Sequence, residues 1–175
     1  MSRLDINIRR LEAQRACLGL AAELVRDLPG LIFELGLGNG RTYDHLREIL
    51  PDREIFVFDR EVAAHPDCIP DAPHLYLGDF AETLPSAVER HGGTVALIHA
   101  DVGSANRERD ARLARLIAGY LPALLLSGGV VTADRDVAFA GAQPLTLPAL
   151  VDPGVYFLYR QEPRAKRAVR RGRRW

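Results

Sequence analysis

A glycine-rich turn between an apolar run and an amphipathic segment is the feature that most constrains the fold of this chain. Four of the five residues in 31–35 are apolar, which is typical of a strand buried on both faces of a parallel sheet. Gly36, Gly38 and Gly40 follow, and residues 41–50 then place apolar side chains at helical spacing. Glycine allows positive φ and leaves the backbone bare, so a ligand can lie against this turn beside the free N–H groups of the new helix.

The pattern acid-x-Gly-x-Gly-x-Gly, which begins at Glu34, resembles the first motif of class I S-adenosylmethionine-dependent methyltransferases. The resemblance implies a Rossmann-like α/β fold in which this turn wraps the amino-acid end of the cofactor. A dinucleotide-binding turn spaces its glycines as Gly-x-Gly-x-x-Gly, and the chain does not match that spacing. From the residues alone, a tight turn that binds no ligand remains an alternative.

Two further acids follow predicted strands. Asp59 ends the second apolar run, at a place where a carboxylate can accept both hydroxyls of a ribose. Gly78, Asp79 and Phe80 follow a short third strand, and they resemble the family segment whose acid binds the adenine amino group. An exposed strand-end acid is the alternative for Asp59. For Asp79 the alternative is an N-cap of the helix predicted over residues 81–91, and both roles can coexist.

His99 and Asp101 follow the fourth predicted strand, on the side of the sheet that remains for a methyl acceptor. Methyl transfer from a sulfonium needs alignment and deprotonation of the acceptor, and His99 is a base candidate because its ordinary pKa lies near neutrality. A packed or hydrogen-bonded histidine is the alternative. Residues 98–101 and 132–135 also resemble the metal-binding segments of magnesium-dependent catechol-type O-methyltransferases. His99 and Arg135 replace an acid and an asparagine there, so we predict no bound metal.

The predicted site combines these motifs with their immediate neighbours, and S-adenosylmethionine is the predicted cofactor. The candidate catalytic residues are His99 and Asp101. The candidate cofactor-binding residues are Glu34, Gly36, Gly38, Asn39, Gly40, Thr42, Tyr43, Asp59, Arg60, Gly78, Asp79, Phe80 and His99.

Outside residues 31–135 the resemblance is looser. Apolar periodicity predicts a helix over residues 6–28, which either helps to close the cofactor cleft or only covers the sheet. After the fifth strand, ten residues precede a closing antiparallel pair predicted at 145–147 and 155–159, so the final helix is shortened. The predicted fold is a three-layer Rossmann-like sandwich with a mostly parallel seven-stranded sheet and an antiparallel last strand.

The length of 175 residues suits one domain. We predict a methyltransferase-like domain at 1–163, made of an N-terminal helix region at 1–30 and a Rossmann-like core at 31–163, followed by a basic tail at 164–175. Residues 160–175 hold eight basic side chains and one acid, which leaves a net charge of −7 on residues 1–159. An acidic body disfavours nucleic acid as a partner. A tail that is solvated, or that lies on a neighbouring subunit, is favoured over one that binds RNA.

Localisation is predicted from the absence of signal and membrane segments in the sequence, and assembly is predicted from an exposed face of the sheet. Residues 1–10 carry charges without an apolar signal core, and no apolar run reaches the length of a membrane span, so we expect neither export nor a membrane. Cys17 and Cys68 lack metal-type spacing and are expected to be reduced thiols in the cytoplasm. A shortened final helix uncovers one face of the sheet, which predicts a homo-oligomer.

These observations predict an S-adenosylmethionine-dependent methyltransferase that acts on a small acceptor of unknown identity. Two other functions stay open at this point. One is a non-catalytic protein that binds S-adenosylmethionine or S-adenosylhomocysteine and acts on a partner through its tail. The other is an NAD-dependent oxidoreductase.

Overall fold

The computed structural model of the protein describes residues 2–104 and 106–163, so the predicted basic tail lies outside the described residues. The strands are β1 (Leu31–Leu35), β2 (Ile55–Asp59), β3 (Leu75–Leu77), β4 (Val95–Ala100), β5 (Leu125–Ala133), β6 (Ala142–Pro144) and β7 (Phe157–Gln161). The helices are α1 (Arg3–Leu24), α2 (Arg41–Ile49), α3 (Phe80–His91) and α4 (Arg107–Leu124). Within the described residues, no helix combines the length and the apolar character of a transmembrane span.

The seven strands form one sheet in the order β3-β2-β1-β4-β5-β7-β6. Strands β1 to β5 pair in parallel, whereas β7 runs antiparallel to both of its neighbours. The predicted fold class is therefore confirmed. The strand order reverses between β1 and β4, and such a switch point opens a crevice at the carboxyl ends of the strands.

Helices cover both faces of the sheet, and successive strand residues enter two separate cores. On one face, Leu18 of α1 and Leu46 of α2 pack with Ile32 of β1. On the other face, Phe33 packs with residues of α3 and α4, among them Leu84. Because β1 is buried on both faces, its apolar residues run continuously instead of alternating with polar ones.

The predicted helix at residues 6–28 is α1, but it begins three residues earlier and ends at Leu24. Val25 and Leu28 continue the helical spacing of apolar residues beyond Leu24, so the periodicity gives no sign of this end. Arg53 supplies the physical reason: its Nη2 donates to the carbonyl oxygens of Val25 at 3.2 Å and Leu28 at 2.5 Å. These carbonyls thereby gain partners outside a helix.

The segment after β5 departs furthest from the predicted element bounds. Residues 134–141 contain no helix, so the final helix that was predicted to be shortened is replaced by a loop. The strand predicted at 145–147 lies three residues earlier, as β6, and pairs with β7. Leu145 still donates its N–H to the Leu158 carbonyl at 2.9 Å, so the antiparallel contact extends one residue beyond β6.

Candidate active site

The glycine turn between β1 and α2 leaves its backbone open to a ligand. Gly36, Gly38 and Gly40 have φ values of 97°, 50° and 81°, in the region that favours glycine. A Cβ at Gly36 would lie 2.5 Å from the Asp101 carbonyl oxygen, and one at Gly40 would collide with Cys68. A Cβ at Gly38 would meet no atom within 4 Å, so Gly38 borders open space.

Asp59, at the end of β2, is bonded to the backbone of the glycine turn. Its Oδ2 accepts from Leu37 N at 2.8 Å and from Gly38 N at 3.0 Å, while its Oδ1 accepts from Arg60 N at 2.6 Å. A carboxylate has further lone pairs for a ligand hydroxyl. Asp59 therefore holds the turn in place and still lines the cavity described below.

Glu34, the acid of the glycine motif, lies beneath the turn with no exposed surface. Its Oε1 accepts from Thr42 Oγ1, and its Oε2 lies 2.6 Å from His99 Nδ1. Glu34 and His99 are direct partners in the pairing of β1 with β4. Glu34 therefore reaches the ligand side only through its neighbours, chiefly Thr42, which lines the smaller cavity.

His99 lies within β4 and is also fully buried. Its Nδ1 faces Glu34, and its Nε2 lies 2.7 Å from Tyr156 Oη. Burial lowers the pKa of His99, but the carboxylates of Glu34, Asp101 and Asp134, with Glu34 foremost, together raise the pKa above its usual value. Because both ring nitrogens have protein partners, the geometry favours the hydrogen-bonded alternative over a base role for His99.

Asp101, one residue beyond β4, is held by two side chains of α1. Its Oδ2 accepts from Gln14 Nε2 at 2.8 Å, and its Oδ1 accepts from Arg10 Nη2. Gln14 Nε2 also donates to Tyr156 Oη at 3.2 Å. Sequence reasoning missed Arg10, Gln14 and Tyr156, and the one available signal was Gln14, a polar residue within an otherwise apolar stripe of α1.

Asp79 is the N-cap that the sequence offered as one alternative, and it also lines a cavity. Its Oδ1 accepts from Ala81 N at 2.9 Å, which makes it the N-cap of α3. Asp79 and Phe80 both line the larger cavity, opposite the glycine turn. Gly78, which precedes them, donates its N–H to the Asp59 carbonyl at 2.9 Å and so fixes this segment against β2.

Two cavities meet at the glycine turn and share four residues: Gly36, Gly38, Asp101 and Gly103. The larger cavity has a volume of about 480 Å³ and extends from Asp59 and Arg60 to α4. The smaller has a volume of about 220 Å³ and extends from Asn39 and Thr42 to α1. Of these two cavities, the larger has a volume within the range of about 300–1,000 Å³ that is usual for small-molecule sites, and the smaller lies below this range.

Five of the predicted residues line neither cavity: Glu34, Gly40, Tyr43, Gly78 and His99. Glu34 and His99 lie behind the turn, as described, and Gly40 packs against Cys68. Tyr43 faces away from the turn, under the guanidinium of Arg47, and lines a separate surface depression.

The end of β5 carries an ion-pair cluster where the metal-binding segment of the O-methyltransferases would lie. Asp134 accepts from the N–H groups of Val102 and Gly103 at 3.1 and 3.0 Å, and Arg135 Nη1 lies 3.1 Å from Asp134 Oδ2. Burial raises the pKa of Asp134 above that of an ordinary carboxyl. Within the described residues, no group of histidine, cysteine or acidic side chains is arranged to hold a metal ion.

The fold and the site together define a class of protein. A mostly parallel sheet with an antiparallel β7 carries, at its switch point, a bare glycine turn, and Asp59 at the end of β2 and Asp79 after β3 line the cavity beside it. These features fit S-adenosylmethionine, because open backbone can receive its amino-acid end and the carboxylates can receive its ribose and adenine.

The comparisons with known proteins agree with this class. The family model described as S-adenosyl-L-methionine methyltransferase matches residues 1–161, so the chain belongs to that family. It is an S-adenosylmethionine-dependent methyltransferase, which decides against the oxidoreductase. No curated protein matches the chain.

Solved structures give the same result. The S-adenosyl-L-methionine methyltransferase of Silicibacter pomeroyi DSS-3 is 47% identical with a TM-score of 0.87, over 92% of this chain and 99% of that one. The 1,6-didemethyltoxoflavin-N1-methyltransferase of Burkholderia thailandensis is 14% identical with a TM-score of 0.51, over 85% and 79% of the two chains. A putative caffeoyl-CoA O-methyltransferase of Staphylococcus aureus is 16% identical with a TM-score of 0.51, over 82% of each chain. The last two share the fold alone.

Proposed function

We propose that the two joined cavities form the cofactor site and that the methyl acceptor is a small molecule that enters beside Asp101. Bound S-adenosylmethionine supplies an electrophilic methyl group. The chain itself orients the ligand: Asp59 and Asp79 offer carboxylates at the sheet edge, and the turn from Gly36 to Asn39 offers bare backbone. The observation that carries this proposal is that the two cavities adjoin at the glycine turn, where both are lined by Gly36, Gly38, Asp101 and Gly103.

A third cavity supports a small acceptor. It has a volume of about 600 Å³, lies between the first half of α1 and residues 150–155, and shares Arg10 with the smaller cofactor cavity. The ion pair of Arg10 with Asp101 therefore stands between the proposed cofactor and acceptor spaces. We propose Asp101 as the group that receives the acceptor proton, and His99 as a residue that acts from behind the site.

Calorimetry tests the site directly. S-adenosylhomocysteine is titrated into the wild-type protein, with NAD titrated alongside, and we expect binding of the first and none of the second. Asp101→Asn then separates binding from transfer. Radiolabelled S-adenosylmethionine and a small-molecule extract should give labelled product with the wild type and less with this variant, by a larger factor than any accompanying loss of S-adenosylhomocysteine affinity. Label that enters only a macromolecular fraction would contradict the small acceptor.

We also propose that residues 1–163 form one domain and that the protein self-associates in the cytoplasm. Both cysteines are free thiols, and burial raises the pKa of Cys17 to about 11, which keeps it unreactive. Self-association is supported by an apolar stripe on α1, formed by Leu4, Ile8 and Leu11, which is exposed. In an antiparallel pairing of two copies of α1, each Leu4 lies opposite the other copy's Leu11.

A further inference from the structure

A polar network runs behind the candidate site and passes through Tyr156, which lines none of the cavities described above. Its order is Thr42, Glu34, His99, Tyr156, Gln14 and Asp101. The successive links after Glu34 measure 2.6, 2.7, 3.2 and 2.8 Å. They join α2, β1, β4, the segment before β7, α1 and the loop after β4. Both ends of the network, Thr42 and Asp101, line the smaller cofactor cavity.

Tyr156 is the central link. It is fully buried, and its ring packs in a small cluster with Ala13, Cys17 and Val151, away from the glycine turn. Packing in that cluster requires the ring and gives no reason for a hydroxyl. A buried hydroxyl is costly unless it is hydrogen-bonded, and this one has two partners, His99 and Gln14.

We propose that Tyr156 is a positioning residue for the cofactor site, because its hydroxyl holds His99 against Glu34 on one side and Gln14 against Asp101 on the other. The proposal rests on the proposed cofactor site and adds a residue to it that touches no ligand. Glu34 holds Thr42 at the start of α2, and Asp101 forms the wall that both cavities share. One hydroxyl thus orients both ends of the smaller cavity.

Removal of the hydroxyl leaves His99 Nε2 without its partner in a fully buried position. The imidazole then has one hydrogen bond instead of two and can rotate away from Glu34. Gln14 likewise loses one of its two acceptors, and its hold on Asp101 weakens. Both changes act on the shape of the site before a ligand arrives, so we expect a loss of affinity and not only a loss of stability.

Tyr156→Phe is the test, with Tyr159→Phe as the matched control. Tyr159 lies on β7, and its hydroxyl donates to Asp136 Oδ1 at 2.7 Å, outside the network. Each variant removes one tyrosine hydroxyl: the change at Tyr156 breaks two hydrogen bonds of the network, and the change at Tyr159 breaks one bond to a carboxylate. Calorimetry with S-adenosylhomocysteine should show affinity reduced roughly tenfold in Tyr156→Phe and unchanged in Tyr159→Phe. Thermal unfolding of both variants measures the accompanying loss of stability.

A spectroscopic readout separates positioning from general loosening. The ring nitrogens of His99, followed by ¹⁵N NMR, should change their shifts in Tyr156→Phe and keep them in Tyr159→Phe. Gln14→Met provides a second variant, since it removes the link to Asp101 and leaves the Tyr156 ring in place. We expect it to lower the affinity as well, with the His99 signals less affected.

The outcomes distinguish the two proposals. A wild-type protein that does not bind S-adenosylhomocysteine contradicts the proposed cofactor site itself. A wild-type protein that binds it, while Tyr156→Phe and Gln14→Met bind it equally well, overturns the positioning role and leaves the cofactor site intact. Equal losses of affinity in Tyr156→Phe and Tyr159→Phe also overturn it, because the effect then follows stability alone.

Discussion

Carboxylates at the carboxyl edge of the sheet are bonded to the protein before any ligand arrives. Asp59 accepts backbone N–H groups of the glycine turn, Asp79 caps a helix, and Asp101 is paired with Arg10. Each carboxylate is thus held in one orientation, so the lone pairs that it does not use within the protein have fixed directions. Such preorganisation lowers the conformational cost of binding.

Replacement of Asp59 tests how far its carboxylate contributes to the cofactor. We expect Asp59→Ala to weaken S-adenosylhomocysteine binding by about 1–3 kcal/mol, because a charge-assisted hydrogen bond to ligand and the support of the turn are lost together. Calorimetry measures the change. Asp52→Ala is the control, since Asp52 is an exposed acid in the turn before β2 and lines neither cofactor cavity. Equal affinity in both variants would remove Asp59 from the site.

Gly38 tests whether the open space at the turn belongs to the ligand. Gly38→Ala places a Cβ where the protein has no atom within 4 Å, at a φ of 50°. The positive φ costs about 1–2 kcal/mol of stability, and the methyl group should also obstruct the cofactor. Gly93→Ala is the matched control, with a φ of 73°, equally open space and a position far from the cavities. Both variants should melt earlier, and only Gly38→Ala should bind S-adenosylhomocysteine less tightly.

Local sequence patterns predicted the site residues that lie at or just after strand ends. They did not predict the site residues that other parts of the chain bring in through tertiary packing. Asp59, Asp79 and Asp101 lie in or beside the cavities because strand ends can be located from apolar runs. Gln14 and Tyr156 lie 142 residues apart in sequence and meet through tertiary packing. His99 was expected after its strand, but β4 continues to Ala100, and so the histidine points into the core.

At the scale of elements, we propose that Asp79 at the start of α3 contributes both to stability and to cofactor binding. Asp79→Ala should lower the free energy of unfolding by about 1 kcal/mol through loss of the cap, and should weaken S-adenosylhomocysteine binding. Asp79→Ser keeps a capping oxygen without the charge, so it should restore most of the stability and little of the affinity. Denaturant unfolding and calorimetry measure the two effects.

Asn106 provides the control for this prediction. Its side chain caps α4 by accepting from Arg109 N at 3.0 Å, and it lines neither cofactor cavity. Asn106→Ala should therefore cost similar stability at unchanged affinity. An Asp79→Ser variant that binds as tightly as the wild type would show that Asp79 acts only as a cap.

Element types were easier to predict than element ends. Strands β1 to β5 were predicted from apolar runs that the buried sheet requires, and their order along the chain was correct. The end of α1 depends on Arg53, which is distant in sequence, and its position could not be read locally. The position of β6 depends on its pairing with β7, because three residues carry too weak a pattern to fix a register.

The turn into β3 should give the fold a measurable pH dependence. His74 lies 2.5 Å from Asp71 and 3.1 Å from Glu54, and hydrogen bonding to Asp71, aided by Glu54, raises the pKa of His74. A raised folded-state pKa contributes stability below the ordinary pKa, and this contribution is lost as the pH rises through the folded value. The wild type should therefore exceed His74→Gln in melting temperature more at pH 6 than at pH 9. An equal difference at both values would contradict this linkage.

For the whole molecule, the exposed apolar surface lies on helix α1 and not on the sheet face that the sequence suggested. A sheet face left bare by the shortened final helix was expected to drive assembly. Leu158 and Tyr159 of β7 are instead buried, whereas Leu4 and Ile8 of α1 are 67% and 45% exposed. The first half of α1 extends past the core and is tied to it mainly by Arg10 and the residues that follow. The assembly surface that we propose is therefore a helix face.

Self-association through this face predicts that charge placed on it produces monomers. In the antiparallel pairing of two α1 helices, Arg3 of each copy lies near Glu12 of the other, so the charges beside the stripe are complementary. The double variant Leu4→Glu/Ile8→Glu should shift the molar mass in light scattering from that of an oligomer to that of a monomer, because it places like charges across the interface. The new charges stay exposed in the monomer, so the fold of the monomer should be unaffected. Leu77→Glu is the control, since Leu77 is 59% exposed at the edge strand β3 and lies outside the stripe. A wild-type protein that is monomeric at all concentrations, or a Leu77→Glu variant that also dissociates, would contradict assembly through α1.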